Sequence, residues 1–266
     1  MNAAFGMELR RMRSLVGWTA VAAIAYGGIV AGFYPTIRDN QAMIEQYMGL
    51  FPKDLLSVFG MEGSLADPGA FFSMYVGGML WPIVAAVAAI ALATRPVAAD
   101  LEHGFLELVL STRLSRVRYL GTAVAGQLVA MAVLAFATVG GILVVGRVVG
   151  APFDAGRFML AGIHAFGFGI TIAAVTTLLS VLTLDRGRAA GVAAGLMLGM
   201  YLLDAASKVW TGIGGVASLS PFQHFQTRPI INEGTFPIGD FLLFAVVAAA
   251  AWAAAVLLFR RRDLAA

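Results

Sequence analysis

The residues whose types and spacing could do chemistry gather in one short stretch, RPVAADLEHGFLELVLSTRLSRVRYL, from Arg95 to Leu120. Asp100, His103, Glu107 and Ser111 recur at helical spacing, so they share one polar face. Leu101, Phe105, Leu108 and Thr112 make a neighbouring, mostly apolar face. Asp100, Glu102 and Glu107 lie towards the N-terminal end, where a helix dipole favours negative charge, and Arg113, Arg116 and Arg118 lie at or past the other end. Pro96 suits a first turn. The pattern predicts an amphipathic helix over about 96–113. Gly104 in its middle costs about 1 kcal/mol relative to alanine, which makes sense if something must approach the backbone there. Interfacial helices carry Lys and Arg on their polar face. This one carries carboxylates, which anionic lipid repels, and so suits docking of a protein from the aqueous side.

Other chemistries are excluded by what is missing. The chain has no cysteine, so disulfides, thiolate metal sites and cysteine nucleophiles are absent together. Its two lysines, Lys53 and Lys208, do not follow glycine, which rules out a phosphate-cradling G-x-x-x-x-G-K-[ST] loop. His103, His164 and His224 are far apart and form no H-E-x-x-H; no G-x-S-x-G is present. No metal or cofactor is expected on this chain. Among ionisable residues inside apolar runs, His164 reads as a hydrogen-bonded packing residue and Arg147 as an arginine that snorkels to headgroups. Asp204 either pairs with Lys208 one turn on or faces a substrate path.

The elements that must position these residues are membrane spans. Hydrophobic residues make up 60% of the 266, and they fall in blocks. A helix needs about 20 apolar residues to cross a bilayer. Six runs approach that length: 14–34, 70–94, 120–146, 158–184, 189–210 and 241–259. The fold class expected is an all-α membrane protein, a single transmembrane domain over 1–266. Twelve of the eighteen basic residues, all arginines, fall on one side of this topology. The positive-inside bias therefore puts both termini in the cytoplasm, with the 95–120 helix on the same side. Residues 1–13 place Phe5, Leu9 and Met12 at helical spacing, predicting a short helix in the inner interface. The segments 35–69 and 211–240 carry Pro and Gly punctuation and read as small helices or re-entrant turns at the outer surface. No internal repeat is evident. Gly187, Gly191, Gly195 and Gly199 recur every fourth residue on the fifth run, a small-residue face that lets helices approach closely. It could serve packing inside the chain or between subunits. Pro82 is expected to kink the second run.

The stretch DLEHGFLELVLSTRLSRVRYL resembles the cytoplasmic signature of type-2 ATP-binding-cassette (ABC) transporter permeases. The matching residues are Glu102, Gly104, Leu106, Glu107, Leu108, Leu110, Ser111, Ser115 and Arg116; Phe105 and Leu114 depart from the family's threonine and proline. LSPFQHF, Leu219 to Phe225, is similar to the family's Ser-Pro-Phe element. The resemblance implies that residues 96–113 are a coupling helix, with Asp100, Glu102, His103, Gly104, Glu107, Arg113 and Arg116 docking a separate ATP-binding subunit present in two copies. ATP and Mg would sit in that partner. It further implies a second permease subunit, most simply a homodimer, with Pro82 and the glycines of the fifth span near the seam. The location expected is the inner membrane, and the function export of a lipid-like, drug-like or peptide substrate. A membrane-embedded lipid-modifying enzyme or a secondary transporter is the competing expectation. The enzyme would need convergent polar groups at one depth, and the sequence offers few.

Overall fold

The computed structural model describes residues 2–261 apart from 60, 62, 79, 103, 105–114 and 152. Six stretches are helical, long and apolar enough to cross a membrane: Arg13–Asp39, Pro68–Glu102, Arg116–Val148, Ala155–Thr183, Arg186–Val209 and Ile238–Arg261. They are spans 1 to 6 below. The described residues contain no strand. Spans 3, 4 and 5 each begin at a side-chain cap: Ser115 accepts from the Arg118 N–H, Asp154 from that of Arg157, and Asp185 from that of Arg188. Each cap satisfies an amide that the first helical turn leaves without a partner. Spans 4 and 5 are joined by a two-residue turn, Leu184–Asp185, in which Leu184 takes a left-handed φ of 53°.

Span 4 is the hub. It packs against spans 2, 3, 5 and 6, whereas span 1 lies along span 3. Its most apolar stretch is 72% buried, against 22% for spans 5 and 6. Apolar surface gains little from leaving lipid, so close fit must hold such helices together. The tightest fit is between spans 1 and 3. A Cβ on Gly27 would stand 2.2 Å from the Thr138 carbonyl oxygen, and one on Gly141 would stand 2.2 Å from that of Ile24. No larger residue fits at either crossing without moving backbone. Spans 3, 4 and 6 also share a polar knot: Thr177 Oγ1 and Trp252 Nε1 both donate to Gln127 Oε1, at 3.1 and 3.2 Å.

Two expectations change. The N-terminal residues do not form a separate interfacial helix, because one helix of 38 residues runs unbroken from Asn2 to Asp39. At about 1.5 Å per residue it is much longer than the hydrocarbon core is thick. Span 2, by contrast, is not one continuous α-helix kinked at Pro82. Its backbone is α-helical at Pro68–Phe72, π-helical at Ser73–Gly78, α-helical again at Leu80–Ala93 and π-helical at Arg95–Ala99. Pro82 lies in the first turn of Leu80–Ala93, where its missing N–H costs nothing, and its side chain is buried within this chain rather than on an outward seam.

The ends of the bundle differ. At the end carrying both chain termini, Val97, Tyr119, Leu120, Val181, Ala255 and Phe259 form a small buried cluster that joins spans 2, 3, 4 and 6. At the opposite end the longer connections fold into short helices, Gln41–Met48, Lys53–Val58, Gly214–Ala217 and Arg228–Glu233. Aromatic rings tie spans 1, 2 and 4 to the connection between spans 3 and 4 at this end: Tyr34, Phe71, Phe72, Phe153 and Phe158 form a cluster, with Phe72 and Phe158 centroids 4.9 Å apart, edge to face.

Candidate functional site

The Arg95–Leu120 segment is partly described, and its two described carboxylates, one buried and one exposed, both bond to other spans. Asp100 is buried and accepts a hydrogen bond from the Tyr119 hydroxyl. The expectation that it faces the aqueous side for docking is therefore corrected: this carboxylate fastens the end of span 2 to the start of span 3. Glu102 Oε1 accepts the backbone N–H of Arg186 at 2.5 Å. It caps the first turn of span 5 from the far side of an 84-residue gap, beside the local cap Asp185, whose Oδ1 accepts from Arg188 at 2.7 Å. Gly104 has φ of +67°, and its N–H bonds to the Leu101 carbonyl. Glycine is needed there because the left-handed turn ends the short helix Asp100–Glu102. The helix expected over 96–113 thus does not pass through Gly104. His103, Glu107 and Arg113 lie outside the described residues. Arg116 opens span 3, and its Nη1 donates to the Phe259 carbonyl at 3.4 Å, reaching span 6. Residues 97–102 and 116–119 therefore bring together the ends of spans 2, 3, 4, 5 and 6.

The glycine face of span 5 is open. Built Cβ atoms on Gly191, Gly195 and Gly199 meet nothing within 4 Å, and one on Gly187 meets only Asp185 of the same turn. Nothing among the described residues packs on these glycines.

At the other end of span 5, Asp204 is 5% exposed and its Oδ2 lies 3.1 Å from Lys208 Nζ, the pairing that its spacing suggested. The pair lines a polar cavity of about 320 Å³ that also takes in Ser73, Gly77, Tyr201, Gln223 and Arg228. The π-helical part of span 2 supplies one wall. Gln223 and Arg228 were not singled out by the sequence, and only their place in the segment after the Ser-Pro-Phe element could have drawn attention to them.

That element locks the outer segment onto the hub. Ser220 is fully buried and donates to the Met200 carbonyl at 2.8 Å. Phe225 stacks between Trp81 and Phe168, with centroids 5.5 and 4.7 Å away. His164 is buried as a packing residue; its Nε2 contacts the His224 carbonyl at 3.0 Å. His224 itself bonds the Asp240 carboxylate through Nδ1 at 2.7 Å and the Ser218 carbonyl through Nε2 at 2.8 Å. Two acceptors require both ring nitrogens to donate, which is the protonated ring. Burial works against that charge, but the Ser218 carbonyl and then Asp240 outweigh it and leave the His224 pKa raised.

Six apolar helices, one of them largely buried by the others, with no cluster of metal-ligating side chains among the described residues, describe a multi-pass membrane protein. Over residues 1–260 the chain matches the family described as multidrug efflux system permease Rv1217c, C-terminal domain. It belongs to that family, which is one of ABC transporter permeases. No curated protein matches the chain.

Proposed function

We propose that this chain is the transmembrane subunit of an ABC exporter that moves lipid-like, drug-like or peptide molecules out of the cell, driven by ATP hydrolysed with Mg in a separate subunit. The observation that carries the reading is the meeting of spans 2 to 6 at the Arg95–Leu120 segment, in a chain matched almost end to end by an efflux permease family. Force applied to that segment reaches every span it touches. Span 5 is reached through a charge-assisted hydrogen bond, which is stronger and shorter than a neutral one. Asp100 and Glu102 are positioning groups in this reading, while Glu107, His103 and Arg113 are left to contact the ATPase. Both termini and this segment lie on the cytoplasmic side of the inner membrane in this reading, an orientation that the arginine distribution supports.

The unit works as a pair of permease subunits, most simply a homodimer, with two ATPase copies. Support comes from span 5, which has the lowest mean hydropathy of the six, 1.6, and yet is only 22% buried. A weakly apolar helix with an uncovered glycine face is better matched by protein than by lipid. Gly191 and Gly195 are placed at this seam. Affinity purification of the tagged chain tests the reading: an ATP-binding subunit should accompany it, and vesicles holding both should transport only with hydrolysable nucleotide. Replacing Glu107 by Arg should release the ATPase without preventing membrane insertion. Retained association and transport in that variant would refute the docking role.

A further inference from the structure

The polar cavity at the far end of span 5 has a composition that the transport reading does not use. Of the three charged groups lining it, Asp204 and Lys208 satisfy each other, while Arg228 makes no hydrogen bond or ion pair among the described residues. Arg228 is nonetheless held in a seat. A Cβ on Gly63 would stand 2.6 Å from its Nη2, so the guanidinium lies directly against that loop, and Gly63 itself has a left-handed φ of +81°. The facing wall is π-helical, and Gly77 stands so close to Thr227 Oγ1 that an added Cβ would be 2.6 Å away. Single π turns recur at functional sites. On the same cavity, Gln223 Oε1 is buried and has no donor, a state that usually means a missing partner.

A seated cation without an anion and a buried acceptor without a donor, both among the described residues and in one cavity, call for a ligand with both complements. We propose that this cavity binds a compact polar group that carries anionic oxygens, a phosphate or carboxylate, next to an N–H or O–H donor. Arg228 takes the anionic oxygens through its planar fork, with Lys208 adding charge beside it. Gln223 Oε1 and the remaining Asp204 oxygen take the donor. A lipid headgroup and the polar end of a soluble molecule share this chemistry. The site is independent of the transport reading, and a failure of the ATPase to co-purify would leave the binding below unchanged.

The test is thermal unfolding of the purified chain in a non-ionic detergent, titrated with phosphoethanolamine, phosphocholine and dihexanoyl phosphatidylethanolamine. Phosphoethanolamine should raise the midpoint saturably. Phosphocholine, which lacks the N–H donor, should bind more weakly, and equal binding would overturn the role of Asp204 and Gln223. Arg228→Gln should weaken the phosphoethanolamine response by about ten-fold or more, since a charged hydrogen-bonding partner is lost. Should that variant not fold, Arg228→Lys serves: it keeps the charge, loses the fork and should weaken binding measurably. Arg147→Gln, at an exposed arginine outside the cavity, should bind as the parent does. Equal responses to the soluble and lipid probes assign the site to a soluble polar group, and a response to the lipid alone assigns it to a headgroup. No shift with any probe, or equal losses in Arg228→Gln and Arg147→Gln, would overturn the proposal.

Discussion

Two glycine seams in this chain meet opposite fates. Between spans 1 and 3, Gly27 and Gly141 are pressed onto facing carbonyls with no room for a methyl group, whereas Gly191, Gly195 and Gly199 on span 5 face open space. The first is a finished joint inside one chain. The second has the same chemistry and no occupant among the described residues. Small residues thus say that a backbone can come close, and only the fold says whose. The regular repeat, the more conspicuous pattern in sequence, is the one left uncovered. The working crossing uses one glycine from each of two helices more than a hundred residues apart, and no local pattern announces it.

This contrast can be broken in several ways. The largest effect is expected at the closed seam. Gly141→Leu must push the Ile24 carbonyl away, at a cost above the 1–3 kcal/mol typical of overpacking because backbone has to move. Detergent-solubilised protein should lose its monodisperse peak and most of its thermal transition. A normal unfolding profile would show that spans 1 and 3 are not held this way. Gly195→Leu should spare the fold of the single chain, since nothing lies near it, and instead lower the dimeric fraction in cross-linking and the transport rate. Unfolding as severe as that of Gly141→Leu would erase the difference between the seams.

The first turn of span 5 sharpens the comparison on a smaller scale. Glu102→Gln keeps a neutral acceptor for the Arg186 amide, and Glu102→Ala removes it. ATPase co-purification should survive both. Transport per ATP hydrolysed should fall modestly in the first and by about ten-fold in the second, the loss expected for a charge-assisted bond. Loss of co-purification would return Glu102 to the docking surface. The smallest effect is a pH dependence. His224 has a raised folded-state pKa, so its contribution to stability is fully present below the unfolded value near 6.5 and is lost as pH rises through the raised value. The midpoint of thermal unfolding should decline across that window, and His224→Asn should flatten the decline. An unchanged slope would mean that the Ser218 and Asp240 contacts do not depend on charge.

The six spans were legible in the sequence because lipid imposes length and hydropathy on any helix that crosses it. The Asp204–Lys208 pair was legible too, since helix geometry alone brings residues four apart together. What escaped were contacts between distant segments. Glu102 read as an exposed docking acid, and exposed it is, but nothing local announced that its carboxylate would also accept an amide 84 residues on. Gly104 read as the middle of a helix because polar and apolar residues recur at helical spacing on both sides of it; its +67° φ is a backbone fact that side-chain periodicity does not encode. Gln127, one amide in a long apolar run, gave no sign that Thr177 and Trp252 would converge on it.

Span 4 carries a consequence for how such a chain is made. It is the most enclosed helix, yet its mean hydropathy is 2.0 where spans 3 and 6 reach 2.6. It carries His164, Thr171, Thr176, Thr177 and Ser180 in its buried surface. Thr171 and Thr177 already bond the carbonyls of their own helix, Gly167 and Ala173, so they can enter hydrocarbon without waiting for neighbours. His164 has no such internal acceptor and finds its contact only at the His224 carbonyl. During synthesis span 4 must therefore sit in the bilayer incompletely satisfied until the segment after span 5 arrives. Newly made chains stalled before that segment should be the form most exposed to quality-control proteolysis.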